Sequence, residues 1–412
     1  MAVLAAPAPF PLRLQLAMAR PWLLHLTLVA LTLAAAISYS ATTLFIPAAW
    51  SPMLDFGAYY RAALDMNAHV DPYLRYNHAI PFSVSMGYVY PPFFAYIIQP
   101  LGWLSYAQAK LVALLVLQLS VLASVLLTWK LLGLRTWVAR LFILDAFLLS
   151  STLVMNIHLG QLNVVLVPLT LAWVWAYSRG SRLGWVLVGL NVGLKLQQAE
   201  LFGLTLIRRD LRGLALGLAT LATTLAIGGL ALGIEYFTQV LPRLSGTVPT
   251  IIYNTSLLSD IERLVHPGSD TLLYDPAYTE AHFLLPLLVL PILFFTMRAL
   301  LGLNDRFLEA LVALTAIPLL SNYLTEGHLL PLLPVGILLA AHAWRTHAHR
   351  LFWVLVLSVP FFADYVRLYS TVAYLSPYLA QVLFIEYAPG LAAVVVWLCA
   401  LRLAARAKSI PA

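Results

Sequence analysis

Long, uninterrupted apolar runs are the feature of this sequence that most limits what it can fold into. A helix needs about 20 apolar residues to cross a bilayer. Runs close to that length fall near 22–46, 107–128, 137–155, 163–178, 213–234, 283–303, 306–322, 328–344, 351–368 and 386–404. With 62% hydrophobic and 10% charged residues, a soluble globule and a disordered chain are excluded. A transmembrane β-barrel would instead show short alternating segments. The sequence therefore predicts an all-α polytopic membrane protein, with 1–412 as a single integral membrane domain.

The stretch 183–207 differs from the other apolar runs because its centre is polar. Lys195, Gln197, Gln198 and Glu200 lie between apolar halves. One continuous span would leave these side chains in lipid, where they are costly. We therefore predict two short helices that meet at a polar tip backed by neighbouring protein. Together with the other runs this gives about twelve helical segments.

Basic residues are distributed unevenly along this arrangement. Most of the 24 lysines and arginines fall on one face when the N-terminus is placed in the cytoplasm. Since cytoplasmic loops carry an excess of Lys and Arg, we predict a multi-pass plasma-membrane protein with both termini cytoplasmic. The first run resembles a signal peptide, but it is long enough to span and is predicted to be retained. The net charge of +7 then reflects loops beside anionic lipid and requires no nucleic acid.

Two long loops, 47–106 and 235–282, are predicted on the opposite, extracytoplasmic face. Most acidic residues lie on that face, while the predicted cytoplasmic loops are short and contain no nucleotide-binding motif. Function is therefore expected at the outer membrane surface. The single cysteine, Cys399, lies in an apolar stretch and is interpreted as inert packing.

The first outer loop begins with a segment of helical spacing at 55–67. Its tyrosines, Tyr59 and Tyr60, are typical of an interfacial helix. Asp55 opens the segment, so it could serve as an N-cap or as a chemical group. The later run 93–104 is apolar and aromatic but too short for a comfortable span. It predicts a re-entrant or interfacial helix that could hold a lipid chain or anchor the loop.

Several short motifs follow one another in order along the chain. They are Asp55-Phe56-x-x-Tyr59-Tyr60, Asp71-Pro72-Tyr73, Tyr88-x-Tyr90-Pro91-Pro92-Phe93-Phe94-Ala95, His158-Leu159-Gly160-Gln161-Leu162-Asn163, Gly189-x-x-x-Gly193-x-Lys195, Asn254-Thr255-Ser256-Leu257 through Arg263, and Asn322-Tyr323 to His328-x-x-Pro331. Each motif is weak alone, but their order and their shared outer placement are more specific. The sequence resembles the family 87 glycosyltransferases, polytopic GT-C mannosyltransferases that use a polyprenyl-phosphate sugar donor. It departs from that family at Gln197-Gln198, where a proline is usual.

The resemblance implies an inverting sugar transfer in which Asp55 activates the acceptor hydroxyl. Such a reaction needs a base for that hydroxyl and donors or cations for the leaving phosphate. The predicted phosphate-binding residues are His328, Lys195 and Arg263. The predicted sugar- or acceptor-binding residues are Tyr59, Tyr60, His158, Gln161, Asn163 and Asn254. We expect neither metal nor other cofactor, because a lipid monophosphate develops less charge than a nucleoside diphosphate and no second acid stands beside Asp55.

Structural alternatives remain open for these residues. The polar groups of His158, Gln161 and Asn163 could merely satisfy a turn, and His328 could be structural. Lys195 could pair with Glu200 instead of a phosphate. Asp145, in a predicted span, could be a buried contact between helices.

The sequence is also compatible with other functions. The resemblance implies polyprenyl-phosphate-mannose as donor, a glycolipid or glycan as acceptor, and the bilayer as the environment. The main alternative is a flippase or transporter of a lipid-linked sugar, which would show internal repeats and midplane sites. A scaffold without chemistry and a transferase for another sugar, such as arabinose or glucose, are the remaining possibilities.

Overall fold

The structure is a computed structural model that describes residues 21–45, 53–74, 87–242, 254–260, 280–321, 324, 326–364, 372–374, 376 and 387–409. For residues 21–24, 280–285 and 326, only the backbone is described. These parts of the chain are predominantly helical and contain no β-strand. The prediction of an all-α polytopic membrane protein is confirmed. Much of the two predicted outer loops, 47–106 and 235–282, lies outside the described residues.

The helices follow one another along the chain with short connections. They are α1 (Pro21–Ser40), α2 (Leu54–Asn67), α3 (Pro92–Ile98), α4 (Tyr106–Leu132), α5 (Trp137–Leu148), α6 (Ser151–Leu159), α7 (Asn163–Ser178), α8 (Leu183–Leu194), α9 (Phe202–Ile207), α10 (Leu211–Gly228), α11 (Leu230–Glu235), α12 (Glu280–Leu300), α13 (Arg306–Ala316), α14 (Leu332–Arg345), α15 (His349–Ala363) and α16 (Ala388–Ser409). Tighter 3₁₀ turns occupy Gln99–Trp103, Leu196–Leu201, Ile317–Leu320 and Glu326–Leu329, and π turns occupy Ala41–Phe45 and Tyr236–Val240.

Five of the described helical stretches are long and apolar enough to cross a membrane. They are His25–Phe45, Tyr106–Leu132, Leu211–Gly228, Gly327–Arg345 and Ala388–Ser409. The pair α5 and α6, bent by 50°, would make a sixth. The described residues contain more helical segments than the twelve predicted. The predicted runs 137–155 and 213–234 are each broken into two helices, and α2 and α3 belong to the first outer loop.

Helix α4 shows how one long span meets both lipid and protein. Leu111, Leu115 and Leu119 lie on one face and are more than half exposed. The opposite face buries Ser124 and Thr128, whose hydroxyls donate to the carbonyl oxygen four residues earlier. Because those hydroxyls are satisfied within the helix, they can pack against protein at little cost.

Small residues bring α8 and α10 into close contact. A Cβ atom at Gly189 would lie 2.4 Å from the carbonyl oxygen of Gly217, and one at Gly193 would lie 2.3 Å from Oγ1 of Thr224. Such small-residue spacing allows helix backbones to approach closely in a membrane. The motif Gly189-x-x-x-Gly193 thus fixes the end of α8, where Lys195 follows.

Two groups of buried charges hold other helices together. Thr32 of α1 donates to Asp145 of α5 at 3.1 Å, which confirms the prediction that Asp145 makes a contact between helices. Arg208 forms an ion pair with fully buried Glu309 of α13, which also accepts from the Tyr177 hydroxyl at 3.1 Å. Nothing in the sequence pattern predicted the second group, because its partners come from three separate helices.

Candidate active site

Asp55 lies in the first turn of α2 and does not cap it. The N-cap position is Met53, which has a left-handed backbone (φ 45°) and offers no side-chain cap. The interpretation of Asp55 as an N-cap is therefore wrong: the helix begins one residue earlier, at Leu54. The Asp55 side chain is only 9% exposed, and its contacts come from other elements.

A tight turn after α6 brings Gln161 to Asp55. The helix ends on Gly160, whose φ of +72° favours glycine. A Cβ atom at Gly160 would lie 2.5 Å from Cβ of Phe56, so the turn rests directly on the start of α2. In this position the Gln161 side chain is close enough to the Asp55 carboxylate to favour its ionised form.

Replacing Gly160 by alanine should damage activity more than stability. The left-handed backbone costs a non-glycine residue about 1–2 kcal/mol, and the new methyl group must also push the start of α2 away. A displacement of about 1 Å in a catalytic group can cost about 100-fold in rate, so we expect at least a tenfold loss of activity. Gly302 is the matched control, with φ +77° and nothing within 4 Å of its Cβ position.

Gly302→Ala should show a similar thermal destabilisation with near-normal activity. Melting temperature and catalytic rate, measured on both variants, check this prediction. Equal activity in the two variants would mean that the contact between Gly160 and Phe56 does not position the site.

Three amide side chains form a buried cluster behind Asp55. Asn163 Nδ2 donates to Gln161 Oε1 at 2.6 Å and to Asn156 Oδ1 at 3.3 Å. Asn156 is fully buried and donates to the carbonyl oxygen of Thr152 at 2.8 Å. Gly327 closes the cluster, because a Cβ there would lie 2.3 Å from Gln161 Oε1.

Lys195 reaches this cluster from the break between α8 and the following 3₁₀ turn. Its backbone is extended (φ −157°, ψ 125°), which confirms the predicted interruption within 183–207. The ammonium group donates to Asn163 Oδ1 at 2.7 Å and lies 5.5 Å from the centre of the Tyr90 ring. Lys195 also interacts electrostatically with Asp55, whereas the Glu200 side chain is exposed.

Aromatic side chains line one side of the site that contains Asp55 and Lys195. The Tyr59 hydroxyl donates to the Tyr90 hydroxyl at 2.8 Å, and both rings pack against Phe94. Tyr59 is also close enough to Asp55 to interact with its charge. Tyr90 and Asn156 were not predicted as site residues. Tyr90 belongs to the motif Tyr88-x-Tyr90-Pro91-Pro92, but Asn156 has no sequence signal beyond its helix.

His328 stands at the edge of the cluster, beside Lys195. The two side chains interact electrostatically. His328 is half-buried and shares a small cavity with Gln197 and Gln198. The other walls of that cavity are apolar: Leu314, Ile317, Pro318, Pro331, Leu332 and Val335.

The two charges of the site have opposite pKa shifts with a common cause. Burial raises the pKa of the Asp55 carboxyl, while the Gln161 hydrogen bond and the Lys195 charge oppose that rise. Burial lowers the pKa of Lys195 to about 7, and the Asp55 charge opposes that fall. Each charged form is thus supported by the other.

Three of the residues predicted for the site, Tyr60, His158 and Asn254, make other contacts. The Tyr60 hydroxyl donates to the carbonyl oxygen of Leu104 at 2.7 Å. His158 Nε2 lies 2.5 Å from the carbonyl oxygen of Thr42, at the end of the first span. Asn254 Oδ1 accepts from the backbone N–H groups of Ser256 and Leu324, which joins two loop segments. Arg263 lies outside the described residues.

The arrangement suits transfer of a proton beside an anion. One carboxylate can accept a proton, one ammonium group and one imidazole can contact a negatively charged group, and aromatic rings limit access of water. Within the described residues, no group of three or more His, Cys, Asp or Glu side chains comes together.

The family can be assigned from the sequence comparison. The profile of glycosyltransferase family 87 matches residues 88–322. The chain belongs to this family. The match covers Tyr90, the amide cluster and Lys195, so these site residues lie within the family region, whereas Asp55 precedes it.

Two curated relatives carry the same name, polyprenol-phosphate-mannose-dependent alpha-(1-2)-phosphatidylinositol mannoside mannosyltransferase. The protein of Mycobacterium tuberculosis is 31% identical over 166 residues, 36% of this chain and 38% of the relative. That of Mycolicibacterium smegmatis is 28% identical over 197 residues, 42% of this chain and 43% of the relative. The chain thus matches less than half of the length of either relative.

Solved structures of ArnT from Cupriavidus metallidurans are similar at low sequence identity. The apo structure gives a TM-score of 0.43 at 18% identity, covering 92% of this chain and 77% of ArnT. The structure bound to undecaprenyl phosphate gives 0.41 at 18% identity, covering 95% and 78%.

Proposed function

We propose that this protein is a mannosyltransferase that moves mannose from a polyprenyl-phosphate donor to a hydroxyl of a glycolipid or glycan acceptor. The observation that carries the proposal is the placement of a buried carboxylate, Asp55, and a half-buried ammonium group, Lys195, around the Gln161 and Asn163 amides. Membership of family 87 and the names of the two relatives support the sugar and the donor.

The proposed reaction is a single displacement with inversion at the anomeric carbon. Asp55 accepts the proton of the acceptor hydroxyl as the hydroxyl oxygen bonds to that carbon. The bond between the carbon and the phosphate oxygen breaks, and polyprenyl phosphate leaves with the electron pair. Lys195 and His328 contact the phosphate as its charge grows, because cations and N–H donors are most effective where charge develops.

The site is proposed to face the extracytoplasmic side of the plasma membrane, with both termini in the cytoplasm. The excess of basic residues on the opposite loops supports this orientation. Arg263 is proposed as an additional phosphate contact from the second outer loop. Tyr59 is proposed to line the sugar site, since it adjoins Asp55.

The test is sugar transfer by the purified protein in lipid vesicles. Labelled mannose should pass from polyprenyl-phosphate-mannose, and not from a nucleotide-linked mannose, to a membrane glycolipid fraction. Labelled glycan acceptors should be tried in parallel. Movement of the intact donor across the vesicle without any transfer product would contradict the proposal and favour a flippase.

A further inference from the structure

We infer that Asn163 is a positioning residue that couples Lys195 to Asp55 through Gln161. The inference rests on the proposed function, because it concerns how the base, Asp55, and the cation, Lys195, are positioned relative to each other. Asn163 is the first residue of α7 and is 2% exposed. It forms hydrogen bonds with both Lys195 and Gln161, and Gln161 in turn favours the ionised form of Asp55.

The orientation of the Asn163 amide is dictated by its neighbours. An ammonium group can only donate hydrogen bonds, so the atom of Asn163 that faces Lys195 must be Oδ1. The Nδ2 group then points to Gln161 Oε1 at 2.6 Å and to Asn156 Oδ1 at 3.3 Å. A flipped amide would place its N–H group against the ammonium and leave two acceptors unmatched.

The same reasoning fixes the orientation of Gln161. Its Oε1 atom is engaged by Asn163. The group left to meet the Asp55 carboxylate is therefore Nε2, which is a donor. The Lys195 ammonium, the Asn163 amide and the Gln161 amide can thus each donate to the next group without conflict. Lys195 and Gln161 both favour the ionised form of Asp55, and the Asn163 amide connects them.

Asn163 is itself held by buried structure. Asn156, its second acceptor, is anchored in α6 by a 2.8 Å bond to the Thr152 carbonyl oxygen. Gly327 packs closely against Gln161 on one side, since a Cβ atom there would overlap Oε1. Removal of the Asn163 amide therefore leaves Gln161 and Lys195 with one partner fewer.

The proposal makes a specific statement about pH dependence. The charged and titratable groups facing Asp55 are Lys195 and Tyr59, with His328 next to Lys195. Activity should rise with pH as Asp55 loses its proton and should fall at higher pH as Lys195 loses its own. Without Asn163 the Asp55 carboxylate is less well supported, so the rising limb should move to higher pH.

The experiment compares pH profiles of kcat/KM for wild type, Asn163→Ala and Gln118→Ala. Loss of the Gln161 interaction with Asp55 corresponds to at most about one pH unit, so the rising limb of Asn163→Ala should move up by no more than that amount. The falling limb should move down, because Lys195 loses its hydrogen bond to Asn163. Gln118 is the control for loss of an interhelical amide, since its side chain donates once and accepts once between α4 and the end of the first span. Its removal should leave the limb where it is.

A double-mutant cycle tests whether Asn163 acts through Gln161. Gln161→Met alone should shift the limb in the same direction, and the double variant should shift it by less than the sum. Should Asn163→Ala fail to fold, Asn163→Ser and Gln161→Met provide the same readout. A rate that falls equally at every pH, or an unmoved limb in both Asn163→Ala and Gln161→Met, would overturn the inference.

These results are distinguishable from failure of the proposed function. If wild type transfers no sugar, or if Asp55→Asn transfers it as fast as wild type, the function itself is wrong. If Asp55 is required and the limb does not move, only the role of Asn163 is wrong.

Discussion

Asp55→Asn should lower kcat for sugar transfer by about 1,000-fold, while binding of the donor changes by only a few-fold. A general base contributes about 100- to 10,000-fold, and asparagine has nearly the size of aspartate but cannot take up a proton. The carboxylate lies next to Gln161, which can hydrogen-bond an amide as well. The measurement is single-turnover transfer of labelled mannose, with donor binding determined separately.

Asp145→Asn is the control for loss of a buried carboxylate. Asp145 accepts from Thr32 between two spans, and an asparagine oxygen can accept the same bond, so its rate should stay near that of wild type. A small effect of Asp55→Asn, less than tenfold, would remove the proposed base. A loss confined to donor affinity would assign Asp55 to binding instead.

The pH dependence of the wild-type reaction follows from the same site. Burial raises the pKa of Asp55, so the base is ionised, and the enzyme active, only above that raised pKa. The neighbouring Lys195 has a pKa lowered to about 7, and a bound phosphate would raise it again by favouring the ammonium form. Donor binding near neutral pH should therefore take up protons.

The polar centre of 183–207 shows how much of the fold could be predicted from the sequence. Lys195 and the glutamines could not lie in lipid, so a break in the helix was required, and the structure places it at Lys195. The bends at 149–150 and at Gly229 were not predicted, because the apolar runs continue across them. Hydrophobicity indicates that a segment is in the membrane, but it does not indicate where packing bends it.

For the candidate site, the sequence indicates individual residues but not their contacts. Asp55, Gln161, Asn163 and Lys195 could each be proposed from motifs, yet their connection depends on the contact between Gly160 and Phe56. No periodicity in the sequence encodes that contact. Asn156 was missed for the same reason, since a buried asparagine within an apolar helix resembles ordinary packing until its partners are known.

Lys195→Met should lower kcat/KM for the donor by about 100- to 1,000-fold, measured per folded molecule. Removal of a single group that stabilises developing charge has an effect of that size. Methionine matches the length of the lysine stem but carries no charge. Because this change leaves the buried Asp55 carboxylate without its opposite charge, the melting temperature should also fall. Lowering the pH should reduce that fall, since a protonated Asp55 no longer needs the opposite charge.

A loss of kcat/KM measured per folded molecule separates a phosphate contact from a structural lysine. Lys130→Met is the matched control, because Lys130 also packs on an aromatic ring, 4.0 Å from the centre of Trp175, but on another part of the molecule. Its activity should remain near that of wild type. If folded Lys195→Met instead keeps the wild-type kcat/KM for the donor, then the ammonium group serves Asn163 and Tyr90 and not the donor phosphate. The acid limb of the residual activity should also move to higher pH, because Asp55 has lost its nearest positive charge.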